Sequence, residues 1–250
     1  MLPNHAPLMV AEQFGTLESL YPGRIDLGLG RAPGTDQTTA HALRRSLDAS
    51  PDDFPRDVVE LLHYFKAAEP GQRVRAVPGE GLNVPVWILG SSLFGAQLAA
   101  MLGLPYAFAS HFAPAEMERA MALYRERFEP SEYLQAPYVM LGLNVIAADT
   151  DKEANYLFTS QLQAFVNLRS GRPGKLPAPV DGYMESLDPA AQALVRQMLS
   201  CRVVGGPETV AKGIVDFAAR TGADEIMVTG MIHDHAKRLR SYEIVSNSMA

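Results

Sequence analysis

The chain has 250 residues, 47% of them hydrophobic, and a formal net charge of −6. That apolar share can fill a sizeable core, while the acidic balance and the absence of a Lys/Arg cluster argue against nucleic acid as a partner. The single cysteine, Cys201, excludes an internal disulfide and a cysteine-built metal centre and fits a reducing cytoplasm; no apolar run of ~18 residues is present for a membrane span.

In chain order, "MLPNHAPLMVAEQFG" lacks the basic start of a signal peptide. "PLMVAEQFGTLESLY" spaces Leu8, Ala11, Phe14, Leu17 and Leu20 as one helix face. "RIDLGLGRAPGTD" (24–36) reads as a strand through Ile25, Leu27 and Leu29 that breaks into a Gly/Pro-rich turn, with Arg31 at its mouth. Residues 31–50 read as a polar loop. "DDFPRDVVELLHYFKAA" is a helix entered through Asp52 or Asp53 with Pro55 in its first turn. "VPVWILG" is a strand ending at Gly90. "SSLFGAQLAAMLG" is a helix with serine at its N-cap and Gly103 at its stop.

"LPYAFASHF" is a strand carrying His111 at its C-terminal end, followed by a helix, "APAEMERAMALYRERF", and a strand, "YVMLGLNVIAAD". "TDKEANYLFTSQLQAFVNLR" is a helix capped by Thr150 or Asp151. "GRPGKLPAPVDGY" opens an insertion or lid loop over 171–188. "PAAQALVRQMLS" and "GPETVAKGIVDFAARTGA" are helices, "DEIMVTGMI" a strand and "HAKRLRSYEIVSN" the last helix. Five strands thus alternate with helices, most of them apolar on both faces, which is the pattern of parallel strands covered by helices. An open doubly wound sheet and a (β/α)8 barrel both fit, and both place function at the C-terminal strand ends.

"GLGRAP" nearly matches a dinucleotide fingerprint, but Pro33 replaces the third glycine and no helix opens behind it, so a plain turn competes with an anion seat. "WILGSSLFGAQ" is the stronger seat: Gly90, Ser91 and Ser92 stand where a strand hands over to a helix, and free N–H groups with two hydroxyls suit a phosphate. Ordinary helix capping is the alternative there. His111 at a strand end is suited to donate to a ring carbonyl or to move a proton, against a simple hydrogen bond within its loop. Arg172 and Lys175 would meet an anion if the lid closes, or sit on a solvated loop. His233 and His235 have no third ligand beside them, so no metal site is expected.

Taken together, "LPNHAPLMVAEQFGTLESLYPGRIDLGLGRAPGTD", "VPVWILGSSLFGAQLAAMLGLPYAFASHFAP" and "ADEIMVTGMIHD" closely resemble the luciferase-like flavin monooxygenases, in particular their single-chain bacterial members. The resemblance runs through nearly the whole chain. It implies one TIM (β/α)8-barrel domain over 1–250 that uses reduced FMN, supplied by a separate flavin reductase, and O2 to oxidise a small organic substrate. It places Arg31 on the FMN phosphate, Gly90, Ser91 and Ser92 at the phosphate end, and His111 at the barrel mouth as the catalytic candidate. It places Gly30 near the flavin ring, where the true luciferases carry a reactive cysteine, so light emission is not expected. A deazaflavin (F420)-dependent oxidoreductase of the same fold and a flavin-binding subunit without turnover are the alternatives. A cytoplasmic enzyme is implied, with a homo-oligomer among its candidate assemblies. A barrel of this family has eight strands and "MLPNH" matches the end of the third. The expectation is therefore an incomplete barrel, holding strands 4–8 with the first three largely missing, that aggregates or is completed by a partner.

Overall fold

The computed structural model describes residues 1–32 and 53–249. The predicted polar loop beyond residue 32, Pro33 and Asp52 lie outside the described residues. The chain divides into two units, residues 1–107 with 119–138, and residues 108–118 with 139–250.

In the first unit, α1 (Pro7–Leu20) begins with a proline in its first turn, as the sequence suggests. Its inward face is not the predicted one. Val10, Ala11, Gly15 and Glu18 are buried, whereas Leu17 and Leu20 are 39% and 64% exposed. The cause is a close backbone approach: a Cβ on Gly15 would stand 2.4 Å from the Pro78 carbonyl oxygen and 2.5 Å from Gly79 Cα. Only a residue without a side chain lets the helix lie there, and that contact sets which face turns inward. Gly15→Ala is therefore expected to lower stability by about 1–3 kcal/mol through overpacking, read as a reduced urea midpoint at unchanged m-value.

α2 (Phe54–Phe65) turns Phe54, Val58, Leu61, Leu62 and Phe65 inward at helical spacing and packs on α1. Pro55 sits in its first turn as expected; Asp53 occupies the N-cap position but its side chain makes no capping bond. β1 (Leu27–Gly30) pairs in parallel with β2 (Val86–Gly90), in a register running from Leu27↔Val86 to Gly30↔Leu89. α3 (Leu93–Leu102) follows and stops at Gly103, whose left-handed backbone (φ 58°) ends the helix as predicted. The strand β3 is short (Tyr106–Phe108), and α4 (Met117–Glu126) starts after a 3-10 turn at Pro114–Glu116. Tyr124 is fully buried because its hydroxyl donates to the Leu104 carbonyl at 2.8 Å and accepts from the Tyr138 N–H at 3.1 Å.

The second unit is organised on β4 (Val139–Ala147), all nine residues of which are buried. It is hydrogen-bonded in parallel to β6 (Glu225–Thr229) through Met140–Asn144 and to β5 (Arg202–Gly205) through Asn144–Ala147. β5 was not among the five expected strands: its four residues are too few to show a period, and only Val203 and Gly205 are buried.

α5 (Asp151–Arg169) is capped by Thr150, whose hydroxyl accepts from the Glu153 N–H at 3.2 Å. Beyond it come α6 (Tyr183–Ser186), α7 (Pro189–Met198), α8 (Pro207–Thr221) and α9 (His235–Met249). The stretch 171–182 has no regular structure but is tied to α5: Gln163 Nε2 donates to the Ala178 carbonyl at 2.9 Å and the Val180 N–H to Thr159 Oγ1 at 2.9 Å. The core here gathers Ile146, Leu157, Phe158, Leu162, Val195 and Leu199. Among the described residues no helix is long and apolar enough to cross a membrane.

Candidate functional site

The predicted residues fall into two groups, one in each unit. In the first, the parallel register sets Gly30 opposite Leu89, so Arg31 and Gly90 leave their strands at the same level. The Arg31 guanidinium lies over the Phe94 ring, 4.2 Å from its centre. Stacking engages the face of the guanidinium and leaves its in-plane N–H donors for another partner.

Gly90 packs close to the first turn of α3: a Cβ there would meet Tyr106 Oη at 3.3 Å and Gly95 Cα at 3.5 Å. The Tyr106 hydroxyl donates to the Ser92 carbonyl at 3.2 Å, pinning the loop. Ser92 holds the N-cap position with extended backbone, yet its hydroxyl makes no bond to the helix N–H groups. The ordinary capping alternative is thus not what this end of α3 displays. Ser91 is exposed beside it. Gly30 is buried, and its bare Cα faces the Met1 side chain, with Sδ 3.1 Å from where a Cβ would stand.

In the second unit, His111 does not end the strand as expected. β3 stops at Phe108, and the Ala109 carbonyl then accepts from both the Phe112 and Ala113 N–H groups, which turns the chain away and sets His111 in the bend. The ring lies against the bare Cα of Gly142: a Cβ there would stand 2.0 Å from His111 Nδ1. Nδ1 is buried and has no hydrogen-bond partner. Below it Ser110 Oγ, fully buried, donates to the Gly142 carbonyl at 2.6 Å.

Asn144 and Gln161, 2% and 4% exposed, continue this polar cluster. Asn144 Nδ2 donates to the His111 carbonyl at 2.7 Å, and Gln161 Nε2 donates to Asn144 Oδ1 at 2.8 Å. A backbone carbonyl only accepts, so it fixes both amides in turn and leaves Gln161 Oε1 buried without a partner. His111, Asn144 and Gln161 border a cavity of about 680 Å3 whose other walls include Phe112, Phe165, Leu199 and Met231.

Sequence reasoning missed Gly142, Asn144 and Gln161. The available signal was a polar amide inside the otherwise apolar strand "YVMLGLNVIAAD". Arg172, Lys175, His233 and His235 are exposed, and no group of three or more His, Cys, Asp or Glu gathers among the described residues.

Burial pushes the His111 pKa below its ordinary value. The unfolded chain therefore binds more protons than the folded one once the pH falls through about 6.5, and folding stability declines there as pH drops. The decline levels off below the folded-state pKa. In His111→Gln this component is expected to vanish, checked by urea unfolding from pH 7.5 down to pH 5.

Parallel strand pairs linked through helices, with glycine and arginine at the mouths of the first pair, define an α/β protein. The chain matches the luciferase-like monooxygenase family over residues 1–225 and belongs to that family. It is 55% identical over 244 residues to a luciferase-like monooxygenase of Escherichia coli K12, a match covering 98% of this chain and 73% of that relative. Among solved structures, apo-MsnO8 is 34% identical with a TM-score of 0.89, over 100% of this chain and 75% of that one.

Two more distant structures share the fold. The oxygenating constituent of 3,6-diketocamphane monooxygenase from Pseudomonas putida, in complex with FMN, is 20% identical with a TM-score of 0.69, over 100% of this chain and 76% of that one. An F420-dependent secondary alcohol dehydrogenase with an F420–acetone adduct is 16% identical with a TM-score of 0.66, over 98% and 76%.

Proposed function

We propose that this chain is a flavin-dependent monooxygenase that binds reduced FMN, delivered by a separate flavin reductase, and uses O2 to oxidise a small organic substrate. The observation that carries the reading is the end of the β1–β2 pair. Arg31 stands level with Gly90, and the first turn of α3 opens behind Ser92 with no side chain closing it. A dianionic phosphate suits that set: a forked cation, two hydroxyls and the positive end of a helix dipole. Membership of the luciferase-like family, whose architecture we take as a (β/α)8 barrel, supports the same cofactor class.

The residues present fit the group. Arg31, Gly90, Ser91 and Ser92 would hold the phosphate, and Gly30 would offer bare backbone to the ring once the flexible Met1 side chain moves aside. Reduced FMN, when bound, supplies the electrons that activate oxygen. The chain's own part is to fix the phosphate, exclude water and present the substrate; in the second unit His111 donates a proton or hydrogen bond to the molecule in its cavity. We place the enzyme in the cytoplasm, working without nucleic acid, membrane or metal and with a second copy as its candidate partner, and we read 171–188, an irregular stretch that runs into the short helix α6, as bordering the substrate path.

The second reading is a deazaflavin-dependent oxidoreductase. It is favoured by the F420 enzyme of like fold, and a phosphate seat does not distinguish the two cofactors. Stopped-flow oxygen consumption with photoreduced FMN, beside hydride transfer to F420 from secondary alcohols, separates them. Oxygen uptake beyond free-flavin autoxidation upholds the first reading. Hydride transfer alone upholds the second, and FMN binding with neither activity leaves a flavin-binding subunit.

A further inference from the structure

We infer that Gly142 and the Asn144–Gln161 pair are positioning residues that hold His111 as an Nε2–H donor at the polar end of the second unit's cavity, and that this cavity takes a neutral organic molecule with an apolar body and a carbonyl-type hydrogen-bond acceptor. The inference deepens the role proposed for His111 but stands on this unit alone and is testable without reduced flavin.

The first support is the Gly142 contact. Nδ1 lies buried over a backbone position that has room only because it lacks a Cβ, and no acceptor reaches it. A proton placed on Nδ1 would be an orphaned buried donor, and such N–H groups are rarer and costlier than an under-used lone pair. The proton therefore belongs on Nε2, the nitrogen left on the cavity side of a ring that lines the cavity. Burial keeps the ring neutral, so it offers one N–H rather than a charge.

The second support is the amide chain. Asn144 grips the His111 carbonyl and is itself gripped by Gln161, so the bend that carries the ring is anchored by side chains nearly withdrawn from water. The third is the cavity wall. Phe112, Phe165, Leu199 and Met231 make most of it apolar, and the only charged residue along it among the described residues, Arg169, is exposed with its guanidinium over the Phe165 ring at 5.5 Å. The pocket's size, about 680 Å3, accommodates a mid-sized organic molecule. The same acceptor chemistry is carried by a substrate carbonyl and by the carbonyls of a flavin ring.

The test uses the full chain labelled with 15N-histidine and three probes: 2-heptanone, heptanoate and lumiflavin, a flavin ring without phosphate. Long-range 1H–15N spectra are expected to show His111 protonated at Nε2. 2-Heptanone, lumiflavin or both should bind and shift that N–H, while heptanoate binds more weakly than the ketone. A response to lumiflavin alone assigns the acceptor to the cofactor ring, and a response to 2-heptanone assigns it to the substrate.

His111→Leu should weaken the responsive probe roughly 3- to 10-fold, the worth of one hydrogen bond, and His111→Gln, which keeps an N–H at that reach, should restore most of it. Gly142→Ala should displace the ring, abolish the Nε2 response and weaken binding as much as His111→Leu, with cooperative unfolding preserved. A proton on Nδ1 in the wild-type chain, undiminished binding in His111→Leu, or tighter binding of heptanoate than of the ketone would each overturn the inference. Should Gly142→Ala not fold, the wild-type tautomer and the Leu/Gln pair at His111 still decide it. Failure of FMN to engage Arg31 would sink the flavin reading and leave these outcomes untouched.

Discussion

Replacing Arg31 with alanine is expected to weaken FMN binding by about 1.5–3 kcal/mol, roughly 10- to 150-fold in Kd, the value of hydrogen bonds to a charged group. The stacking of its guanidinium on Phe94 is what makes the loss large, because the fork is held in place before the ligand arrives. Arg31→Lys should fall between the two, since an ammonium keeps the charge but neither the planar stack nor the paired donors. Riboflavin, which lacks the phosphate, should bind wild type and Arg31→Ala alike. Fluorescence titration with both flavins reads all three comparisons, and an unchanged FMN affinity in Arg31→Ala would remove that residue from the phosphate seat.

Asn144→Leu should be the most damaging change to folding in the second unit's polar cluster, at about 2–6 kcal/mol. Leucine keeps asparagine's branched shape and is larger, so no void opens, and the loss is mainly one of hydrogen bonding. The His111 carbonyl and Gln161 Nε2 both lose their partner at a position only 2% exposed, and each buried group left unmade costs about 1–3 kcal/mol. Gln161→Leu should be milder, because it removes one bond but also removes the partnerless Oε1. Urea unfolding of the two variants gives the order. A loss below about 1 kcal/mol in Asn144→Leu would show that water replaces the amide at this buried position.

Much of this architecture is legible in the sequence because local signals and tertiary demands agree. Pro55, Thr150 and Gly103 mark helix ends where the chain indeed turns, and the apolar run from Val139 to Ala147 is a fully buried strand. The failures occur where a remote contact decides. The inward face of α1 follows from the backbone of Pro78–Gly79 pressing on Gly15, and no window around α1 contains that information. The β5 strand is too short to announce itself and is recruited by the exposed edge of β4.

The candidate site divides in the same way. Arg31 and the Gly90–Ser92 turn are readable because strand mouths and helix starts have their own sequence signature. The partners of His111 come from a strand and a helix 31 to 50 positions further along, and only the fold brings them to it. Their one local trace is a polar amide in an apolar strand.

The double pairing of β4 has a consequence for the timescale on which this region opens. Its amides are held on one edge by β6 and on the other by β5, and Asn144 lies at the residue where the two ladders meet. Such amides exchange with deuterated water only when the unit unfolds as a whole, whereas those of the bend at Ala109–Ala113 exchange through local opening. The residue that grips the His111 carbonyl thus belongs to the slowest-exchanging part of the second unit, and the bend it grips to one of the faster parts. That division keeps the anchor of the bend fixed on the timescale on which the bend itself opens and closes.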